Sequence, residues 1–197
     1  MDLQKIVVKF FAEDPRAVKI ESFIPVFHRW IQKHAVDGML VDVADYGHLP
    51  QSPGVVLVAH EADYSMDTTE GPLGLLYNRK TAAPGRLSDR IGAAFKAALG
   101  ACVKLENEPE FQGRLKFKAG EALFIANDRL NAPNSEEAFQ ALRSDLASAL
   151  SKVFPSNFDL RRDAADPRSR LTVQIASREP VRDVALLLSR LGEAGPT

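Results

Sequence analysis

Phe10-Phe11-Ala12-Glu13-Asp14 closes the first apolar run of the chain. One hundred and fourteen residues later Phe124-Ile125-Ala126-Asn127-Asp128 closes another, with Phe, Ala and Asp in matching places. Three identities in five residues carry little alone, but the elements that follow keep step. Phe23 falls on Phe139 and Trp30 on Leu146 in helical stripes, and Val55 falls on Leu171 and Leu57 on Val173 in strands, all at an offset of 116. A nearly constant offset through ordered elements is the signature of a repeat.

The elements are read from periodicity. Residues 5–11, rich in branched and aromatic side chains, predict a strand. Ser22 caps a following helix with Pro25 in its first turn and the stripe Phe23, Phe27, Trp30, Ile31, His34; Gly38 marks its stop. Residues 39–44 and 55–59 predict strands, the second a continuous apolar run suited to burial on both faces. A weaker strand over 73–77 follows a loop over 66–72, and 87–105 is a second helix. In the second half, 114–128 predicts two strands hinged at Ala119-Gly120. Asn134, with Glu137 three residues on, is the N-cap of a helix striped with Phe139, Leu142, Leu146, Leu150 and Val153. Strands over 158–162 and 171–176 flank an Asp166-Pro167 turn, a last helix starts at Pro180, and residues 192–197 read as a frayed tail.

The order, βαββ(β)αβ followed by βαββα, predicts an α+β protein of tandem ferredoxin-like (βαββαβ-type) units from an internal duplication, the second unit lacking its last strand. A mixed α/β sandwich is the fallback. The units divide as 1–118 and 119–197 and are expected to pack as one compact body. Such an architecture does not imply a function.

Composition narrows the classes. A net charge of −1 argues against general nucleic-acid binding, which needs a basic face. No apolar run reaches the length of a membrane span, and no basic-then-apolar leader opens the chain, so no membrane partner and a cytoplasmic location are expected. Cys102, the single cysteine, sits on the apolar stripe of the second helix and reads as a buried filler.

Charge is segregated in one place. Between Lys33 and Arg79 there is no lysine or arginine, yet seven carboxylates: Asp37, Asp42, Asp45, Glu61, Asp63, Asp67 and Glu70. The window also holds all three tyrosines, Tyr46, Tyr64 and Tyr77, with His48 and His60. Residues 1–79 carry 11 acids against 7 bases, and the remainder 15 against 18, an asymmetry compatible with a homo-oligomer.

Glycine-rich phosphate loops, nucleophile elbows, His-Glu-x-x-His and Cys-x-x-Cys are all missing from the sequence. A connection of about ten residues between the 39–44 and 55–59 strands is too short for a helical crossover, so they should pair antiparallel. That puts Asp45 and His48 at one end of the ladder and His60 and Glu61 at the other, roughly 20 Å away. The first helix should deliver His34 to the second end, beside Asp37. His34, His60, Glu61 and Asp63 then form a candidate shell for a divalent metal, with Glu61 or Asp63 as general base of a hydrolase. The residue types favour structural roles over that shell: His34 as a helix-terminal cation and His60 as a strand-end partner for backbone. Asp45, Tyr46 and His48 read first as turn chemistry, and Arg161, Arg162, Arg168 and Arg170 as a solvated basic hairpin tip.

Three functional readings stand. The first is a non-catalytic binding or regulatory module engaging a partner protein or small ligand through the 37–78 region, with Asp45, Tyr46, His48, Tyr64 and Tyr77 as contacts. The alternative is the metal-dependent enzyme at His34, His60, Glu61 and Asp63. A subunit docking its acidic window on another copy's basic half is a third.

Overall fold

The computed structural model describes residues 1–154 and 157–193. Residues 194–197 of the tail read as frayed lie outside them. The chain is mixed α+β. Among the described residues eight strands form one antiparallel sheet: β1 (Ile6–Ala12), β2 (Leu40–Asp45), β3 (Val55–Ala59), β4 (Ala62–Asp67), β5 (Gly74–Arg79), β6 (Phe117–Ala126), β7 (Phe158–Arg162) and β8 (Leu171–Ser177). Their order across the sheet is β2-β3-β4-β5-β1-β6-β8-β7. The helices are α1 (Phe23–Lys33), α2 (Leu87–Glu106), α3 (Glu136–Val153) and α4 (Val184–Glu193).

Alternation along the strands sorts the two faces. Ile6, Val8 and Phe10 join the core under the helices, and the Phe10 ring meets Phe95 of α2 edge-on at 6.0 Å. Their registered neighbours Leu75 and Tyr77 on β5, and Ala122 and Phe124 on β6, continue the same face. Over it α1 packs on β2 and β3, α2 on β1 and β5, and α4 on β6, while α3 leans on α2 and α4. Cys102 is fully buried within this core, and burial pushes its thiol well above the usual range. None of the described helices is long and apolar enough to cross a membrane.

The other face presents Val7, Lys9 and Phe11 in alternation with that core. Lys9 is fully buried there, and its ammonium donates to Asp67 Oδ1 (2.8 Å), to the Asp67 carbonyl (3.0 Å) and to the Glu70 carbonyl (3.1 Å). Three donors meet three acceptors, so a charge that would otherwise be expensive to bury is satisfied.

The two halves share one sheet, joined by the central β1–β6 pair. Several readings of single elements are corrected. Residues 114–128 hold one strand, β6, which includes the 118/119 division. Instead of the expected hinge at Ala119-Gly120, the strand runs on through a register shift: Phe10 pairs with Ala122 but Ala12 with Phe117. Residues 62–67 form β4, a strand absent from the periodicity reading. α1 ends at His34, in the left-handed conformation (φ 48°), with the Ala35 N–H returning to the Trp30 carbonyl; Gly38 lies beyond it. The cap of α3 is Ser135, which accepts the Ala138 N–H at 3.2 Å. Asn134 instead donates its amide to the carbonyls of Asp163 and Asp166, bracing the 163–170 turn. α4 starts at Val184, four residues past Pro180.

Candidate functional site

The antiparallel ladder of β2 and β3 forms as the short connection requires, Asp45 opposite Val55 and Leu40 opposite Ala59. His60 and Glu61 make a two-residue hairpin turn between β3 and β4, and the His60 N–H donates to the Met39 carbonyl at 2.9 Å. The start of β2 and this turn are thus neighbours. Glu61 Oε2 accepts the Met39 N–H at 3.0 Å, which holds its carboxyl below the usual carboxylate range. Asp63 is committed elsewhere: its Oδ1 accepts from Lys80 at 2.7 Å and from the Ala59 N–H at 3.2 Å. His34 and His60 are both exposed. Among the described residues no group of three or more His, Cys, Asp or Glu side chains is placed to hold a metal ion.

The proposed contact residues separate into two places. Tyr64 and Tyr77 lie on the helix-covered face of β4 and β5, directly opposite each other in the ladder, 3% and 4% exposed, with ring centroids 5.2 Å apart. Burial, reinforced by each ring's charged neighbours, pushes both phenols above their ordinary value; the adjacent Arg79 pulls Tyr77 partly back. They border a cleft of about 570 Å³ where the helical layer parts between α1 and α2. The α1–β2 turn brings Asp37 and Gly38 to it, the β3–β4 turn Glu61, and β5 Arg79; α2 adds Lys96, Ala97, Gly100 and Lys104. Arg79 donates to the carbonyls of Thr81 (3.2 Å) and Ala82 (3.5 Å). Among the described residues no carboxylate lies within 4.0 Å of Arg79, Lys96 or Lys104. Sequence reasoning missed the α2 contribution. Its signal was a second stripe of small residues, Ala93, Ala97 and Gly100, across the helix from Ile91, Phe95 and Cys102.

Asp45, Tyr46 and His48 lie at the far end of β2, all exposed. Asp45 Oδ1 accepts the Gly47 N–H at 2.8 Å, closing the turn. The seven carboxylates of the window divide in the same way. Three are neutralised by bases outside it: Asp63 by Lys80, Asp67 by Lys9, and Glu70 by Arg170. The last of these joins the acidic window to the basic hairpin within one chain. Asp37, Asp42, Asp45 and Glu61 have no described base within 4.0 Å, and all four lie on or beside edge strand β2. The same strand and its flanks expose Met39 (66%), Val41 (59%), Tyr46 and Leu49, four of the seven large apolar side chains exposed among the described residues.

The chain matches no family model, no curated protein and no solved structure. Its site is read from its own chemistry.

Proposed function

We propose that the protein is a non-catalytic binding module that takes a basic, partly apolar protein segment on the surface around β2. The observation that carries this reading is the coincidence, on one sheet edge, of the four unpaired carboxylates with four exposed apolar side chains. An acidic margin selects basic partners and speeds encounter, while apolar anchors supply affinity.

The backbone of that edge favours contact through side chains over strand addition. The Tyr46 N–H turns toward β3, to the Gly54 carbonyl, so in the alternation of the ladder the Val43 N–H faces outward. There Asp42 Oδ1 accepts it at 2.7 Å. A bulge between Leu40 and Asp42 further breaks the edge. Both devices blunt a free strand edge against pairing.

A fluorescent peptide of alternating arginine and leucine tests the reading by anisotropy. Binding should weaken with added salt, since exposed charges are screened within about 8–10 Å at physiological ionic strength. It should fall at least tenfold in Asp42→Asn/Asp45→Asn and in Met39→Ser/Val41→Ser, but not in Glu136→Gln on α3. Equal affinity in all of these variants refutes the assignment.

We also infer a duplicated ancestry of ferredoxin-like type for the fold. In its support, β6, α3, β7 and β8 follow the connectivity β-α-β-β, with the third strand, β8, lying between β6 and β7. β1 and β2 are likewise linked through α1, with the β3–β4–β5 meander between them. On this reading β6 is both the closing strand of the first unit and the opening strand of the second.

A further inference from the structure

We infer that the cleft between the α1–β2 turn and α2 binds a small zwitterion with an aromatic or apolar body, of the class of a free aromatic amino acid or a dipeptide. The cleft shares Asp37 and Glu61 with the acidic edge of the partner reading, but Asp42, Asp45 and the exposed apolar side chains of β2 take no part in it.

The lining carries both signs of charge. Asp37 and Glu61 come from the α1–β2 and β3–β4 turns, Lys96 and Lys104 from α2, and Arg79 from β5, where it pairs with Ala62 and so stands beside Glu61. Among the described residues none of these acids lies within 4.0 Å of these bases. Glu61 is tied to a backbone N–H, and Arg79 to backbone carbonyls, partners that orient a charge without cancelling it. A simple anion would meet the bases and be repelled by the acids, and a simple amine the reverse. A molecule carrying an ammonium and a carboxylate a few bonds apart satisfies both sets together, with the charge-assisted hydrogen bonds that are the stronger kind.

The walls between the two charged sets suit an apolar body. Tyr64 and Tyr77 border the cleft with little area open to it, Ala93, Ala97 and Leu188 add apolar wall, and Gly100 keeps α2 from filling the space. A Cβ built on Gly100 meets nothing within 4 Å. The volume, about 570 Å³, lies in the usual range for small-molecule sites and leaves room for two residues.

Calorimetric titration with phenylalanine, tyrosine and phenylalanyl-leucine tests this, alongside the N-acetyl and C-amide forms of the dipeptide. At least one free zwitterion should bind saturably at up to millimolar concentration, and either cap should weaken the dipeptide at least tenfold. Arg79→Gln should weaken the free dipeptide but change the affinity of the C-amide little. Gly100→Phe, whose Cβ would stand in open space, should abolish binding without lowering the urea midpoint. Gly100→Ala serves as a second variant should the ring disturb α2, and should weaken binding in part. Failure of all three ligands to saturate, indifference to the caps, or undiminished binding in both Gly100 variants would overturn the inference. The Asp42→Asn/Asp45→Asn protein should bind the zwitterion normally, so failure here is distinguishable from failure of the partner surface.

Discussion

Lys9 and Asp67 face each other across the sheet with almost no contact with water, their side chains 0% and 2% exposed and Nζ 2.8 Å from Oδ1. The pair locks β1 to the end of β4, and Asp67 also takes the Thr69 hydroxyl and the Glu70 N–H, so the 67–70 turn is built around it. Removing one partner leaves the other charged and buried without a counter-charge, which costs about 3–5 kcal/mol. Lys9→Met and Asp67→Asn should each lower the urea-denaturation stability by an amount in that range. The double variant should cost clearly less than the two single losses added together. Single losses of under about 1 kcal/mol would show that the pair does not carry the turn.

Tyr64 and Tyr77 give the protein a specific alkaline sensitivity. Both phenols are raised in the fold above their ordinary value of 10.0. The folded state therefore holds these protons more tightly than the unfolded chain. Their contribution is fully present below pH 10 and is lost as pH climbs from there toward the folded values, by up to about 1.4 kcal/mol per pH unit for each ring. Denaturant melts between neutral and strongly alkaline pH should show this decline, and Tyr64→Phe/Tyr77→Phe should flatten it. A double variant with the same slope as the parent would rule out the two rings as its source.

Trp30, the only tryptophan, donates its indole N–H to Glu108 at 2.5 Å, and Arg29 beside it reaches both Glu108 and Glu110. This ties α1 to the segment that follows α2. Trp30 is 1% exposed, so Glu108→Ala strands a buried donor and should cost about 2–3 kcal/mol. Glu110→Ala leaves Arg29 its other partner at a half-open site and should cost under about 1 kcal/mol. Chemical denaturation followed by tryptophan fluorescence reads both. Equal losses would show that the indole bond is not the difference.

The elements legible in the sequence were those whose side chains report a covered face. Val55 to Ala59 and the stripe of α2 are of that kind, and so is Cys102. The antiparallel β2–β3 pair was legible from loop length alone. β4 was not, because Asp63, Ser65 and Asp67 alternate with Tyr64 and Met66, and the two carboxylates are neutralised by Lys80 and Lys9, neither of them on the strand. Without β4 the cleft could not be assembled, since Tyr64 meets Tyr77 only through that strand. The single sheet was hidden for a related reason: β1 joins β6 across more than a hundred residues, and nothing local records such a pairing.

Two glycines separate conformational strain from steric conflict. Gly54 has φ +64° and Gly113 φ +72°, both in the left-handed region that costs a side-chain-bearing residue about 1 kcal/mol or more. Around Gly113 a Cβ would meet nothing within 4 Å, so Gly113→Ala should cost about that much and no more. At Gly54 the same atom would stand 2.0 Å from the Met66 carbonyl oxygen, a backbone group that cannot swing aside without opening the β3–β4 ladder at Val55–Met66. The carbonyl of Gly54 also holds the Tyr46 N–H at 2.8 Å, so displacement there spreads into the turn that ends β2. Gly54→Ala should therefore destabilise by at least about 2 kcal/mol more than Gly113→Ala in parallel urea melts. It should also raise hydrogen exchange along β2 and β3 while leaving β7 and β8 protected. Similar losses at the two positions, or exchange rising evenly across the sheet, would mean that the close approach at Met66 is not what fixes this end of the protein.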